Sequence, residues 1–275
     1  MSDLDPVYRA AERQAPDGSV ATRRQFVAGA AATLGGLGLL AAPGVAFSTK
    51  GKSRKGDTND PQTILNVAAT AEVLATIVNT VGFEKGLGDD AVTQRNIAAA
   101  AREELIHYQV LVSPDVGGKA ITRKIWVPDA VFASRTSLLS TLEVGDQIFI
   151  NAYLIGVQAF GTAGNGALAA TAAEFMGVEA VHRALARQSL GKLGNDRVFM
   201  RYDQKEEARD APNFGQEGFC DILDAVAQLQ GAGFGFGAPG AKPGRFYEFD
   251  EVSQRTPDDP DLNTKMPSVC PNKFF

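Results

Sequence analysis

The residues of this chain that are best suited to chemistry lie around its two histidines. Glu104 precedes His107 by three positions, and Glu179 precedes His182 by the same spacing. Residues three apart lie on one face of an α-helix, so each pair offers a carboxylate and an imidazole to one metal ion. Two such pairs make half of a dinuclear metal site, and the other half requires one carboxylate from each of two further helices.

Internal symmetry locates the first missing carboxylate. The segment from Thr63 to Phe83 is apolar except for a single charge, Glu72. An acid in an otherwise apolar helix is costly unless it is paired or bound to metal. Glu72 lies 32 residues before Glu104, and a repeat of helix pairs therefore predicts a second acid at a similar distance before Glu179.

Two acids compete for that fourth position. Asp146 lies 33 residues before Glu179 and Glu143 lies 36 before it, so the repeat favours Asp146. Apolar residues at helical spacing from Asp146, such as Phe149 and Tyr153, agree with this choice. Glu143 lies one turn earlier on nearly the same stripe and is the alternative ligand, or a residue at the rim of the site.

The order glutamate, E-x-x-H, acid, E-x-x-H resembles the ferritin-like superfamily. The segments AREELIHYQVL, GDQIFINAYLIG and FMGVEAVHRALAR resemble its exported branch of stress- and desiccation-associated ferritin-like domain proteins. This resemblance covers residues 60–192 and depends mainly on the four-part ligand order. It implies two iron ions, two manganese ions or a mixed pair between the helices. The position of Asp146 usually carries glutamate, and the shorter side chain is expected to loosen one metal position.

The ligand chemistry suits such a centre. Four carboxylates with two imidazoles favour iron and manganese over metals that prefer thiolates, although affinity alone would not exclude zinc. In this interpretation Glu104 and Glu179 bridge or chelate the metals, Glu72 and Asp146 are terminal ligands, and His107 and His182 each bind one metal.

Three further residues are candidates for positions around the ligands. Tyr153, seven residues after Asp146, and Tyr108, beside His107, could form hydrogen bonds to ligands or carry oxidising equivalents. Core packing is the alternative role of both tyrosines. Arg183, four residues after Glu179, could pair with a ligand carboxylate and weaken its hold on metal.

Four long helices must position these residues, and the sequence predicts them over 61–84, 90–112, 136–161 and 165–191. Asp60 before Pro61 is typical of a helix start. Glycine-containing turns at 86–90 and 161–166 join the helices of each pair, whereas residues 113–135 form one long connection. The predicted fold is therefore all-α, a ferritin-like antiparallel four-helix bundle over residues 61–192 with one long crossover.

Residues 193–275 predict a mostly irregular C-terminal extension. One short helix is expected between Phe219 and Gln230, followed by a glycine-rich covering loop over 230–244 whose Phe234 and Phe236 pack on the bundle. The loop lacks the Lys-Ser/Thr of a phosphate-binding loop. Cys220 and Cys270 are the only cysteines and are either a disulfide pair or two free thiols.

The N-terminus is predicted to be a targeting segment. Arg23 and Arg24 precede Phe26 and a weakly hydrophobic run rich in alanine and glycine, which is typical of a twin-arginine export signal over residues 1–48. Residues 49–60 then form a charged flexible linker. The expected partner is the twin-arginine export machinery, and the expected location is periplasmic or extracellular, with a membrane tether if the signal is uncleaved.

Composition limits the function classes further. The chain has 44% hydrophobic and 21% charged residues and a net charge of −5, which is typical of a globular domain and argues against nucleic-acid binding. Two hypotheses follow. One is an exported metal-binding redox protein, ferroxidase-like or manganese-catalase-like, that consumes dioxygen or peroxide. The other is a non-enzymatic exported stress or binding bundle in which the six polar residues form a metal-free network. The sequence leaves the oligomeric state open, a homo-oligomer included.

The export signal gives a direct test. Because the paired arginines are the recognition element, replacing both (Arg23→Lys with Arg24→Lys) is expected to leave the precursor in the cytoplasm. Cell fractionation followed by immunoblotting measures this, and unchanged export of the double variant would reject the assignment.

Overall fold

The structure, a computed structural model, describes residues 58–202, 216–259, 261–262 and 264–268. The predicted signal at 1–48 and residues 49–57 of the predicted linker lie outside the described residues. Cys270 also lies outside them, so the predicted pairing with Cys220 stays a prediction.

The four long helices lie within two residues of their predicted boundaries. They are α1 (Pro61–Glu84), α2 (Ala91–Leu111), α3 (Arg135–Thr162) and α4 (Gly166–Ser189). Each begins at a capping side chain that accepts backbone N–H groups of the first turn: Asp60, Asp90, Ser134 and Asn165. These caps satisfy N–H groups that a helix start otherwise leaves unpaired, which explains why the boundaries are readable from sequence.

The helices pack as two hairpins placed side by side. α1 packs on α2 and α3 packs on α4, while α1 also contacts α3 and α2 contacts α4. Gly82 near the end of α1 faces Leu138 near the beginning of α3, and a Cβ atom there would lie 2.6 Å from a Leu138 methyl, so glycine permits this close approach. Thr93 of α2 likewise meets Ser189 of α4 through their hydroxyls at 2.9 Å. Neighbouring helices are therefore antiparallel, and residues 112–134 carry the chain from α2 across to α3.

A small sheet makes the all-α prediction incomplete. The strands are β1 (Lys124–Pro128), β2 (Met200–Arg201), β3 (Gln216–Glu217), β4 (Gly235–Phe236) and β5 (Gly244–Glu248). β1 lies in the long connection and pairs antiparallel with both β4 and β5, whereas β2 and β3 form a separate parallel pair. The glycine-rich segment has little strand propensity of its own, and it becomes extended because β1 offers it backbone partners.

The C-terminal extension is also more regular than predicted. It contains α5 (Ile222–Gly231), close to the expected short helix, and a four-residue helix α6 (Phe249–Val252). Asn151 of α3 fixes the start of α5, since its side chain donates to the Phe219 carbonyl at 2.9 Å and accepts from the Phe219 N–H at 2.8 Å. Phe234 and Phe236 are buried in the core, as the sequence predicts.

Among the described residues, α1 is the one helix long and apolar enough to cross a membrane by composition. Its most apolar 18-residue window has a mean hydropathy of 1.6, but 89% of that window is buried inside the protein. The hydrophobic character of α1 is therefore accounted for by its central place in the core.

The Asn151 anchor can be tested by truncation. Asn151→Ala leaves a buried N–H and a buried carbonyl of Phe219 without partners, so we expect the free energy of unfolding to fall by about 2–4 kcal/mol. Gln158→Ala, at an exposed position of the same helix, is the control and should change stability by less than about 0.5 kcal/mol. Urea unfolding of both variants measures this, and equal stability would show that the anchor contributes nothing.

Candidate metal site

The six side chains singled out by the sequence meet in the interior between the four long helices. Their ligand atoms form two groups, within each of which all atoms lie within 4.8 Å of one another. The first group is Glu72, Glu104, His107 and Glu179, and the second is Glu104, Asp146, Glu179 and His182. Glu104 and Glu179 belong to both groups, so two carboxylates connect two adjoining sets of ligand atoms that could each hold a metal ion.

Each helix contributes to this cluster, which we call the six-residue cluster. α1 contributes one acid, α2 and α4 each contribute an acid and a histidine at i and i+3, and α3 contributes Asp146. All six side chains are at most 8% exposed. Ionisable groups buried so deeply are costly unless their charges are compensated.

The polar atoms of the cluster lack hydrogen-bond partners to an unusual extent. Eight of its buried oxygen and nitrogen atoms have no partner: Glu72 Oε2, both carboxylate oxygens of Glu104, His107 Nδ1, Asp146 Oδ2, both carboxylate oxygens of Glu179, and His182 Nδ1. Buried polar atoms in native proteins are nearly always satisfied, so each exception requires an explanation. Further buried polar atoms without a hydrogen bond occur elsewhere in the described residues, but these eight share one place in the fold.

His107 directs its Nδ1 atom at three carboxylates. This nitrogen lies 3.4 Å from Glu104 Oε2, 3.4 Å from Glu179 Oε1 and 3.6 Å from Glu72 Oε1. The imidazole stacks on Phe175 with ring centroids 4.0 Å apart. The stacking holds the ring in a plane from which Nδ1 faces the cluster.

His182 has a carboxylate partner that the sequence analysis missed. Its Nδ1 faces the cluster, 3.2 Å from Glu104 Oε1, while its Nε2 lies 2.5 Å from Glu103 Oε2. A histidine that binds metal through one nitrogen commonly donates its other N–H to a carboxylate, which fixes the orientation of the ring. The signal was present in the sequence, since Glu103 stands directly before Glu104, but the choice between two adjacent acids depends on where α4 lies.

Of the two candidate tyrosines, one lies at the cluster. The Tyr153 hydroxyl donates a hydrogen bond to Glu72 Oε1. Burial, followed by the negative charge of Glu72, raises the pKa of Tyr153 well above its ordinary value, so its proton is retained for this bond. Tyr108 is half-buried and packs instead on Phe249, with ring centroids 4.5 Å apart. Its role is therefore the alternative one, packing against the core.

Asp146, not Glu143, joins the cluster. Glu143 is buried in a separate ionic network, where Oε1 accepts from Arg187 Nη1 at 2.5 Å and Oε2 accepts from Lys192 Nζ at 2.6 Å. The alternative ligand is therefore committed to two cations. Arg183 is buried on α4 and donates to the Asp196 carbonyl at 3.1 Å, and its charge favours the ionised form of Asp146.

Two carboxyl groups of the cluster, those of Glu72 and Asp146, hold their protons more tightly than usual in the absence of metal. Burial, with a further contribution from the charge of Glu104, raises the pKa of Glu72 to about 8. Burial and the charge of Glu179 likewise raise the pKa of Asp146 well above its ordinary value. A cation placed between these oxygens would compensate the charges that burial disfavours.

Burial acts on the pKa of the histidines in the opposite direction, but nearby carboxylates outweigh it. Burial alone would lower the pKa of His107, but the attraction of Glu72 and the close carboxylates of Glu104 and Glu179 outweigh it and raise the pKa well above its ordinary value. The pKa of His182 is raised in the same way, with Glu103 as the first of the opposing influences. Metal-free protein therefore holds protons at both histidines and at acids of the cluster, and these must leave when a metal binds.

No family model, curated protein or solved structure matches this chain. The site is therefore interpreted from its own geometry.

The stability of metal-free protein should depend on pH in a direction set by these shifts. Glu72 binds its proton more tightly in the folded state than at its ordinary pKa of 4.5, so stability falls as pH rises from about 4.5 to about 8. Histidines with raised folded pKa values act in the same direction, since their stabilisation is lost as pH rises through those values.

Thermal melts of chelator-treated protein across this range measure the effect. We expect the midpoint to decrease toward alkaline pH. A midpoint that increases steadily from pH 5 to pH 8 would contradict the assigned protonation states.

Proposed function

We propose that this protein binds two metal ions, iron or manganese, at the six-residue cluster and uses them in redox chemistry. In this proposal Glu104 and Glu179 are shared by both ions, Glu72 and His107 complete one position, and Asp146 and His182 complete the other. Such a pair of ions supplies up to two electrons to one small oxidant. We further propose that the fold is ferritin-like, and that the protein is exported and protects the cell envelope under oxidative stress.

The unsatisfied atoms are the observation that carries the proposal. The eight partnerless atoms lie on all six residues and face one interior. Carboxylate oxygens and imidazole nitrogens are the donors that iron and manganese use, and a shared pair of carboxylates is the arrangement expected of adjacent ions. Metal ions would satisfy these atoms and neutralise the buried charge together.

The alternative, a metal-free polar network, predicts a different pattern. Such a network would direct hydrogen-bond donors at the carboxylate oxygens. The interior of this protein contains an example around Glu143, where both oxygens accept short hydrogen bonds from cations. In the cluster Tyr153 donates to Glu72, but the histidine Nδ1 atoms lie 3.2 Å or more from the carboxylate oxygens. The four oxygens of Glu104 and Glu179 accept no hydrogen bond. The contrast favours metal binding over a structural network.

The surrounding side chains would hold the ligands in place. Tyr153 donates to Oε1 of Glu72, which leaves Oε2 without a hydrogen bond. Glu103 would keep the proton on Nε2 of His182, so that Nδ1 presents its lone pair. Phe175 packs on His107 and keeps that side of the site free of water.

Two isosteric substitutions separate the metal site from the ionic network. Glu179→Gln removes a shared anionic ligand, so we expect metal to be lost while the metal-free protein, relieved of carboxylate repulsion, is as stable as the parent or more so. Glu143→Gln is the matched control, a buried glutamate outside the cluster. It should retain the metal but lose about 3–5 kcal/mol of stability, because Arg187 and Lys192 lose a charged partner.

Metal content by elemental analysis and thermal midpoints with and without chelator measure both effects. If the parent protein binds no metal, ignores chelator and is destabilised by Glu179→Gln, the structural bundle is the better account.

A further inference from the structure

An apolar cavity of about 40 Å³ adjoins the Glu72 side of the cluster. Its wall comes from α1, α3, α4 and α5, and includes Phe149, Phe175 and Ala225. Half-buried Leu168 of α4 and Val226 of α5 also border it. α5 packs mainly on α1 and α3, so the C-terminal extension roofs this cavity.

The polar groups of the cavity that belong to the cluster region are those of Glu72 and Tyr153. Two threonines also line it, but Thr70 Oγ1 donates to the Asn66 carbonyl and accepts from Ile121 N–H, and Thr171 Oγ1 donates to the Ala167 carbonyl. The rest of the lining is apolar. An apolar cavity of this kind excludes water and accepts small apolar molecules.

A second cavity, of about 30 Å³, reaches the other half of the cluster, and polar side chains make up a larger share of its lining. Half of that lining is apolar: Ile97, Ala100, Leu139, Leu142, Leu185 and Ala186. Asp146 and His182 form the other half together with four polar side chains, those of Asn79, Thr93, Asn96 and Ser189. Water, peroxide or a hydrated ion could form hydrogen bonds along this wall. The lining beside Asp146 and His182 is therefore mixed, whereas the lining beside Glu72 is almost wholly apolar.

We propose that the apolar cavity is a binding site for dioxygen, which makes dioxygen rather than hydrogen peroxide the oxidant that enters beside Glu72 and Tyr153. This inference rests on the proposed metal centre. Dioxygen has no hydrogen bonds to lose on entering an apolar space, whereas hydrogen peroxide would lose its hydrogen bonds to water without replacement. With two ferrous ions held by the six residues, the centre would supply one electron from each ion, and dioxygen with two protons would become hydrogen peroxide.

The cavity is tested first without metal or turnover. Xenon stands in for dioxygen as a small apolar atom, and crystals of the full metal-free protein are pressurised with it. The parent should show xenon between Phe149, Tyr153 and Ala225, and Ala225→Phe, which fills the space, should show none. Ala227→Phe places the same side chain at an exposed position of α5 and should keep the xenon site.

The oxidant is tested with protein loaded with Fe(II), mixed by stopped flow with dioxygen or with hydrogen peroxide. Ala225→Phe should slow oxidation by dioxygen about tenfold or more, because an added group in an apolar pocket has effects of this size. Its oxidation by peroxide and its iron content should equal those of the parent and of Ala227→Phe. Ala225→Leu fills less of the cavity and serves if Ala225→Phe does not fold.

The outcomes separate this inference from the proposed function. A parent that binds neither iron nor manganese defeats the proposed metal centre, whatever the xenon result. A parent that binds iron but no xenon, or an Ala225 variant that slows both oxidants equally or neither of them, defeats the dioxygen site and leaves the metal centre standing.

Discussion

The burial of four carboxylates and two imidazoles at one point is the constraint on which the rest of this structure depends. An uncompensated buried charge costs several kcal/mol, and the net stability of a domain is only about 5–15 kcal/mol. Protonation relieves part of the cost, as the raised pKa of Glu72 indicates, but it leaves eight buried polar atoms without partners. The long helices, their caps and the apolar core around Val73 and Phe149 must supply the stability that offsets the remainder.

The two halves of the cluster differ in ways that a symmetric repeat would not produce. One half has Tyr153 on its terminal carboxylate, Phe175 on its histidine and an apolar cavity beside it. The other has Asp146 as its acid from α3, Glu103 on its histidine and a cavity of mixed polar and apolar lining beside it. In our account, this asymmetry gives the two metal positions different affinities and different access to reactants.

The sequence was most informative where helical periodicity and ligand spacing act together. The i, i+3 pairs predicted which face of α2 and of α4 turns inward. Glu72 was selected as the single charge of an apolar stretch, and the similar spacing before the second pair then selected Asp146. The choice between Asp146 and Glu143 depended on a difference of three residues in their spacing from Glu179. The structure explains the outcome physically, because Glu143 forms ion pairs with Arg187 and Lys192.

The features that the sequence did not reveal depend on contacts between distant segments. Glu103 is a partner of His182 only because α2 and α4 pack together, and the strand at Gly235–Phe236 exists only because β1 lies beside it. Tyr108 was considered for the site because it neighbours His107 in sequence, but adjacent residues of a helix point in different directions and it packs on Phe249. The roof that α5 places over the apolar cavity is likewise set by Asn151, which is 68 residues away from Phe219 in the chain.

The central claim, two ions sharing Glu104 and Glu179, is tested most directly by anomalous diffraction from crystals grown with iron or manganese. Data collected on either side of the absorption edge of the metal would show its position without reference to activity. The account predicts two anomalous peaks about 3–4 Å apart, one beside His107 and one beside His182, with the two shared carboxylates between them. No peak in this interior from metal-saturated crystals, or a single peak outside the six residues, would contradict it.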